Sequence, residues 1–288
     1  MAKLKMLITG GYGMLATDLS EFFNERSFEV IAVDVDKLDI TKREQVAAFF
    51  DAERPDLVIN TPCCHVEPSE DSPETAYAVN AWGPKLIAEQ CQRTGAVMIQ
   101  ISSCGLFGDV VKAYHEYDPV VLKTCYARSK YEGENYVRQT CEKHYIIRMG
   151  WLYGGQSHHQ RNFIVARFKE ATKTSLLRSA GDKHGSPTYT MDVGKAILDL
   201  LPTGQYGLYH VANQGGCSRA GYVRAIIKAF GLNIPVEDVD SSHFPRKANV
   251  PDCEILTSYN LRYASVPLLP LWEEALERYV GLIKDKIT

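Results

Sequence analysis

The chain is predicted to fold as an α/β protein, a Rossmann-type doubly wound parallel sheet with a smaller C-terminal lobe. Three features predict it. A short apolar strand breaks into a glycine turn and resumes as a helix. The next strand ends in a carboxylate, and apolar runs of strand length then alternate with segments of helical period through the first 150 residues.

Lys5-Met6-Leu7-Ile8-Thr9 is the first strand. It breaks at Gly10-Gly11, and a helical pattern follows with Leu15, Leu19, Phe22 and Phe23 on one face. The turn reads Gly10-x-x-Gly13-x-x-Ala16. Gly10 permits the tight turn, Gly13 lets backbone approach a pyrophosphate at the helix N-terminus, and Ala16 allows close packing of helix on strand. Phe28-Glu29-Val30-Ile31-Ala32-Val33-Asp34 is the second strand. Asp34 falls 24 positions after Gly10, near the spacing of about 20 at which an acid bonds the ribose hydroxyls of a dinucleotide. A carboxylate there repels a 2′-phosphate. NAD(H) is therefore the expected cofactor, with NADP(H) left open because Asp36 and Lys37 stand close by.

Pro55-Asp56-Leu57-Val58-Ile59-Asn60 is the third strand. It opens into Thr61-Pro62-Cys63-Cys64-His65-Val66-Glu67, at the strand end where doubly wound folds bind ligands. A helix with Val79, Trp82 and Leu86 on one side follows, with Pro84 in its first turn or kinking it. Ala96-Val97-Met98-Ile99-Gln100-Ile101 is a buried strand that delivers Ser102-Ser103 to the same edge. A hydroxyl there can hydrogen-bond a substrate carbonyl, although Ser at a strand end also serves as a cap or turn residue.

In Thr124-Cys125-Tyr126-Ala127-Arg128-Ser129-Lys130-Tyr131-Glu132-Gly133-Glu134, helical spacing puts Tyr126 and Lys130 on one face, so a phenol and an ammonium can point into one cleft. A cation beside a phenol stabilises the phenolate and is expected to bring its pKa down from about 10 toward working pH. Such a phenol can protonate a developing alkoxide.

Tyr145-Ile146-Ile147-Arg148 is a further strand, running into Met149-Gly150-Trp151-Leu152-Tyr153-Gly154. The polar stretch Gln156-Ser157-His158-His159-Gln160-Arg161 reads as a solvated loop before a helix near Asn162-Phe163. Helix and strand patterns alternate again from Gly185 to Val211, and Trp272, Leu276, Tyr279 and Ile283 lie at core spacing on a C-terminal helix. The expected division is a dinucleotide-binding domain over 1–150 plus a return segment at about 185–215. A substrate-binding lobe takes about 151–184 and 216–288.

Composition narrows the function. Lys plus Arg number 32 against 35 Asp plus Glu, a net charge of −3 that offers no footprint for nucleic acid. No stretch approaches the roughly 20 apolar residues of a membrane span. The N-terminus enters a strand with no small-residue cleavage site, so no signal peptide and a cytoplasmic location are expected. The eight cysteines show no Cys-x2-Cys pair and no recurring His at ligand spacing, which argues against a metal site.

The glycine turn, the strand-end Ser and the Tyr-x3-Lys helix, in this order, resemble the extended short-chain dehydrogenase/reductases. Within them the chain looks most like the dTDP-4-dehydrorhamnose reductases. The likeness is carried by Thr9-Gly10-Gly11-Tyr12-Gly13-Met14-Leu15-Ala16, Leu38-Asp39-Ile40-Thr41, Ala76-Tyr77-Ala78-Val79-Asn80, Trp151-Leu152-Tyr153-Gly154, Arg161-Asn162-Phe163, Gly185-Ser186-Pro187-Thr188 and Gly207-Leu208-Tyr209-His210. The resemblance implies nicotinamide-dependent reduction at C4 of a nucleotide-linked 4-keto-6-deoxyhexose. Ser103 would polarise the ketone, Tyr126 would donate the proton, and Lys130 would hold the nicotinamide ribose. Gly10, Tyr12, Gly13, Met14 and Leu15 would line the pyrophosphate, Asp39 and Ile40 the adenine side, and Thr61 with Pro62 the strand-end loop. Trp151, Arg161 and Asn162 would face the nucleotide sugar, with His65 and Cys104 as further substrate contacts. A homodimer is left open.

Two segments depart from the reductase pattern. An Asp and a Tyr usually follow the catalytic Ser/Thr, whereas here Cys104-Gly105-Leu106-Phe107-Gly108 does, closer to the sugar-nucleotide 4-epimerases. The usual Ala-x-Arg-Pro reads Ala248-Asn249-Val250-Pro251, which removes a cation. Two alternatives to the reductase therefore stand: a 4-epimerase with tightly held NAD, and a non-catalytic regulatory subunit on the same scaffold.

Overall fold

The computed structural model describes residues 3–157, 159 and 162–287. From the N-terminus the chain runs β1 (Leu4–Thr9), α1 (Met14–Asn24), β2 (Phe28–Val33), α2 (Arg43–Glu53), β3 (Leu57–Asn60), α3 (Val66–Asp71), α4 (Pro73–Tyr77), a π-helical turn (Ala78–Trp82), α5 (Gly83–Thr94), β4 (Val97–Ser103), α6 (Cys125–Thr140) and β5 (His144–Met149). It continues through β6 (Trp151–Tyr153), α7 (Phe163–Ala171), β7 (Leu177–Ala180), β8 (His184–Gly185), β9 (Pro187–Tyr189), α8 (Thr190–Leu200), β10 (Gly207–Val211), β11 (Cys217–Ser218), α9 (Arg219–Ala229), β12 (Val236–Val239), β13 (Cys253–Glu254), α10 (Asn260–Tyr263) and α11 (Trp272–Ile287).

The central sheet has six strands in the order β2-β1-β3-β4-β5-β10, every neighbouring pair parallel. Its strands read as continuous apolar runs because both faces are covered by helices. Alternate residues divide between the faces. Met6, Ile8, Ile99 and Ile147 pack with Leu19 and Phe22 of α1 and Ile197 of α8. Leu7, Val58, Met98 and Ile146 pack with Phe50 of α2, Leu86 and Ile87 of α5 and Val137 of α6. The chain leaves β1 for β2 on one side and returns to β3 on the other. This reversal opens a crevice at the C-terminal ends of β1 and β3, the ligand position of such sheets.

A second apolar core lies outside the sheet, where Ile164 and Phe168 of α7, Tyr222 and Ile226 of α9, and Trp272, Leu276, Tyr279 and Ile283 of α11 pack together. Short strand pairs frame it: β7 with β12, β6 with β9, and β8 between β11 and β13. β13 carries Glu254 toward the loop after β4, where Cys253 N–H donates to Gly108 O.

One crossing sets the position of the helix with Tyr126 and Lys130. Gly133 of α6 lies against the carbonyl of Asn80 in the π-helical turn, so any side chain there would collide with backbone. Asn80 bridges the contact: its Nδ2 donates to Cys64 O (2.9 Å) and Ser129 Oγ (3.0 Å), and its Oδ1 accepts from Cys64 N (2.9 Å). Strand-end loop, π turn and α6 are thus tied at one buried amide. Pro84 falls in the first turn of α5, immediately after that π turn.

Candidate active site

The C-terminal ends of β1, β3 and β4 and the N-terminal half of α6 enclose a cleft of about 920 Å³. Gly10, Tyr12, Gly13, Met14, Leu15, Asp34, Thr61, Pro62, His65, Ser103, Tyr126 and Lys130 all line it. Gly10 has a φ of +71°, and a Cβ there would lie 2.7 Å from Thr61 Oγ1 and 3.0 Å from Pro62 N, so only glycine lets the first and third strand ends approach. Thr61 Oγ1 in turn donates to Thr9 O at 2.7 Å.

α1 is preceded by Gly13 at its N-cap, with no side-chain cap and no acidic residue in its first turn. Its leading N–H groups and helix dipole therefore face the cleft uncompensated by protein, which suits the pyrophosphate of a dinucleotide. Asp34 accepts from Tyr12 N (2.9 Å) and Val35 N (2.8 Å), so its carboxylate is pinned at the end of β2. Tyr12 Oη donates to Asp36 Oδ2 at 2.9 Å, placing a second carboxylate beside the first.

At the other end of the cleft stand the hydroxyls. Ser103 Oγ accepts from Gly105 N at 3.0 Å, which leaves its own proton available. The Tyr126 phenol lines the same end of the cleft. Lys130 Nζ donates to Ile101 O at 2.6 Å, anchoring the ammonium to β4. Burial pushes the Tyr126 phenol well above its ordinary pKa of 10.0, with Cys63 acting in the same direction and Ser103 against it. Burial also pulls the Lys130 ammonium down, opposed by Cys63 and Glu134. The expectation that Lys130 brings the phenol toward neutrality is thus corrected for the free chain. Loss of hydration sets the direction, and the Lys130 ammonium is turned to the Ile101 carbonyl.

Other expected contacts are placed elsewhere. The Asp39 carboxylate accepts from Thr41 N (2.9 Å) and Thr41 Oγ1 (2.7 Å), closing the turn before α2. Ile40 is buried against Gly83. Neither side chain lines the cleft. Asn162 is the N-cap of α7: its Oδ1 accepts from Val165 N (3.2 Å), and its Nδ2 donates to Gly154 O (3.2 Å) and to Tyr279 Oη. This side chain is committed to holding the second core rather than turned to a sugar. An Asn immediately before an apolar helix is itself a capping signal. Arg161 lies outside the described residues.

Cys104 and Trp151 converge on one carboxylate. Trp151 Nε1 donates to Glu254 Oε2 at 2.7 Å and Cys104 Sγ donates to Glu254 Oε1 at 3.6 Å. Arg219 stacks over the Trp151 ring at 3.5 Å. Burial keeps the Cys104 thiol well above its ordinary pKa, hence protonated.

Sequence reading assigned no role to Glu134. It lies one helical turn beyond Lys130 and is fully buried, where it accepts from Ser102 Oγ (2.6 Å), Arg148 Nε (2.8 Å), Arg148 Nη2 (2.7 Å) and Arg138 Nη2 (2.6 Å). The available signal is its spacing from Tyr126 and Lys130, which puts an acid on the inward face of the same helix.

The sequence model for the RmlD substrate binding domain matches residues 4–284. The chain is 32% identical over 278 residues to the spore coat polysaccharide biosynthesis protein SpsK of Bacillus subtilis, covering 96% of each. It is 32% identical over 289 residues to a dTDP-4-dehydrorhamnose reductase of Mycolicibacterium smegmatis, covering 99% of this chain and 87% of that one. Among solved structures, a dTDP-4-dehydrorhamnose reductase of Bacillus anthracis in complex with NADP superposes with a TM-score of 0.93 at 31% identity, covering 97% of this chain and 99% of that one. A UDP-glucose 4-epimerase of Thermus thermophilus in complex with NAD shares the fold, with a TM-score of 0.81 at 21% identity over 96% of this chain and 98% of that one.

Proposed function

Since this chain belongs to the RmlD substrate-binding-domain family, we propose that it is a pyridine-nucleotide-dependent oxidoreductase that reduces the C4 ketone of a dTDP-linked 4-keto-6-deoxyhexose, a step of deoxysugar biosynthesis. The observation that carries this reading is the meeting of Ser103, Tyr126 and Lys130 in the cleft that also holds the uncapped N-terminus of α1.

The glycine turn and the uncapped N-terminus of α1 would hold a nicotinamide dinucleotide, which when bound would supply the hydride. Everything else falls to the chain. Ser103, its lone pair occupied by Gly105 N–H, directs its proton to the ketone oxygen and polarises the carbonyl. Tyr126 hands its proton to the same oxygen as charge develops there. The raised phenol pKa serves this direction of reaction, because the acid is fully loaded at neutral pH. Lys130 carries three donors, of which one goes to Ile101 O, leaving the others for ribose hydroxyls. Met149 and Leu152 give the cleft apolar lining beside these polar groups.

Asp34 and Asp36 favour NADH over NADPH, because a 2′-phosphate placed there meets two carboxylates. With the dTDP-linked ketone as substrate, NADH is expected to give a kcat/KM at least about tenfold above NADPH, equivalent to about 1.4 kcal/mol. Asp34→Asn should narrow that ratio. Equal use of both cofactors would overturn the reading of the strand end. The Cys104-Gly105 segment favours the epimerase as second reading. Stoichiometric NAD retained through purification, with no net reduction of the ketone, is the result that would install it.

A further inference from the structure

The fold treats one of the eight cysteines differently from the rest. Cys91, Cys104, Cys125, Cys141 and Cys253 are buried. Cys217 is half-buried, and burial pushes its thiol up to about 12. Cys63, half-buried in the loop after β3, is the cysteine that lines the cleft of about 920 Å³ among the described residues.

Its sulfur stands in a cluster of titratable groups. His65 Nδ1 is 4.0 Å from Sγ, and His65 lines the same cleft. Lys130 lines it too, only 3% exposed and with one of its three ammonium donors spent on Ile101 O. Burial raises the Tyr126 phenol and lowers the Lys130 ammonium, and after burial Cys63 is the largest influence on each, raising both. The attraction between sulfur and ammonium is mutual. An ammonium that a thiolate favours also favours the thiolate, which is the nucleophilic form of cysteine. The loop holds this arrangement because Asn80 binds both main-chain groups of Cys64, the next residue.

We propose that Cys63 is a thiol–disulfide exchange site, at which a small disulfide of the glutathione type enters the cleft and leaves a mixed disulfide that excludes the dinucleotide. The Cys63 thiolate attacks one sulfur of the small disulfide. A new S–S bond forms to Sγ as the old one breaks, and the departing half leaves as a thiolate. His65 Nδ1 takes the proton that Cys63 sheds and passes it to that leaving sulfur. The Cys63 sulfur is oxidised and the leaving sulfur is reduced, so no further oxidant is needed. Excess small thiol runs the same step backward. The adduct stands beside Ser103, Tyr126 and Lys130, which line the same cleft. Exclusion of the dinucleotide rests on the cofactor reading above, whereas the exchange itself does not.

The test treats the full chain with glutathione disulfide, maps the adduct by peptide mass spectrometry and measures the Kd for NADH by fluorescence. Cys63 should be modified at least about tenfold faster than Cys64 or Cys217, and saturating NADH should slow that modification. The adduct should weaken NADH binding by at least about tenfold, and dithiothreitol should restore it. Cys63→Ser, after the same treatment, should keep the NADH affinity of its own untreated sample, and Cys63→Ala answers the same question if the serine variant does not fold. His65→Gln should slow the exchange at Cys63 by several fold. Modification that falls first on Cys64 or Cys217, or a Cys63 adduct that binds NADH as tightly as the untreated protein, overturns the proposal. If the untreated protein binds no NADH, the cofactor reading fails, while the adduct map still decides whether Cys63 is the exchanging thiol.

Discussion

Tyr126→Phe should lower kcat for ketone reduction by about 10²–10⁴-fold, the range ascribed to a positioned general acid, with the Kd for NADH essentially unchanged. The substitution removes one oxygen from a ring that otherwise keeps its packing. Ser103 and Lys130 remain anchored by Gly105 N–H and Ile101 O, neither of which depends on the phenol. The loss therefore falls on the transition state rather than on cofactor binding. The phenol pKa lies well above its ordinary value, chiefly through burial. Reduction by the unaltered enzyme should accordingly be flat through neutral pH and decline only on the alkaline side, as the acid unloads. A drop of less than about tenfold in the variant would transfer the proton to another donor, with the Ser103 hydroxyl first in line.

Glu134→Gln should cost about 3–5 kcal/mol of folding stability, read as a lower urea midpoint with an unchanged slope. The carboxylate is wholly buried and paired to Arg148, itself only 2% exposed. Removing its charge strands the guanidinium in the core. Burial alone would raise the Glu134 pKa, but Arg148, Ser102 and Arg138 together bring it below the usual value. A carboxylate depressed in the folded state stabilises fully above its unfolded pKa of about 4.3. That contribution is lost as pH falls through the folded value. The unaltered protein should thus lose stability on acidification in a window that the variant lacks. The same variant should lose activity, because the pairing of α6 with β4 and β5 holds Lys130 against Ile101 O. A midpoint within about 1 kcal/mol of the unaltered protein would mean that the buried pair is energetically neutral.

Much of the cofactor half was legible in the chain because it is local. Gly10, Gly13 and Asp34 act through a turn and one strand end, and Tyr126 with Lys130 through a single helical period, so spacing alone brings them together. The family resemblance then placed Ser103 across from them. What spacing could not supply were pairs made by long-range closure. Glu134 meets Arg148 only after α6 has packed on the sheet, and Glu254 meets Cys104 and Trp151 only when β13 closes on the loop after β4. Asn162 was read by resemblance as a sugar contact although its position before Phe163 carries a capping signal. The lowered phenol pKa was expected from the nearby cation without the cost of burial, which sets the direction in the folded chain.

The central claim is that hydride moves from the cofactor to C4 of a nucleotide-linked ketone at the Ser103, Tyr126 and Lys130 centre. The most direct measurement is a single reduction with NADH deuterated on the transferred face of its nicotinamide, followed by mass spectrometry and proton NMR of the sugar product. The account predicts a product one mass unit heavier with deuterium at C4, and no label transfer by Tyr126→Phe over the same time. A product that carries no deuterium, or label transferred equally well by the variant, would contradict it.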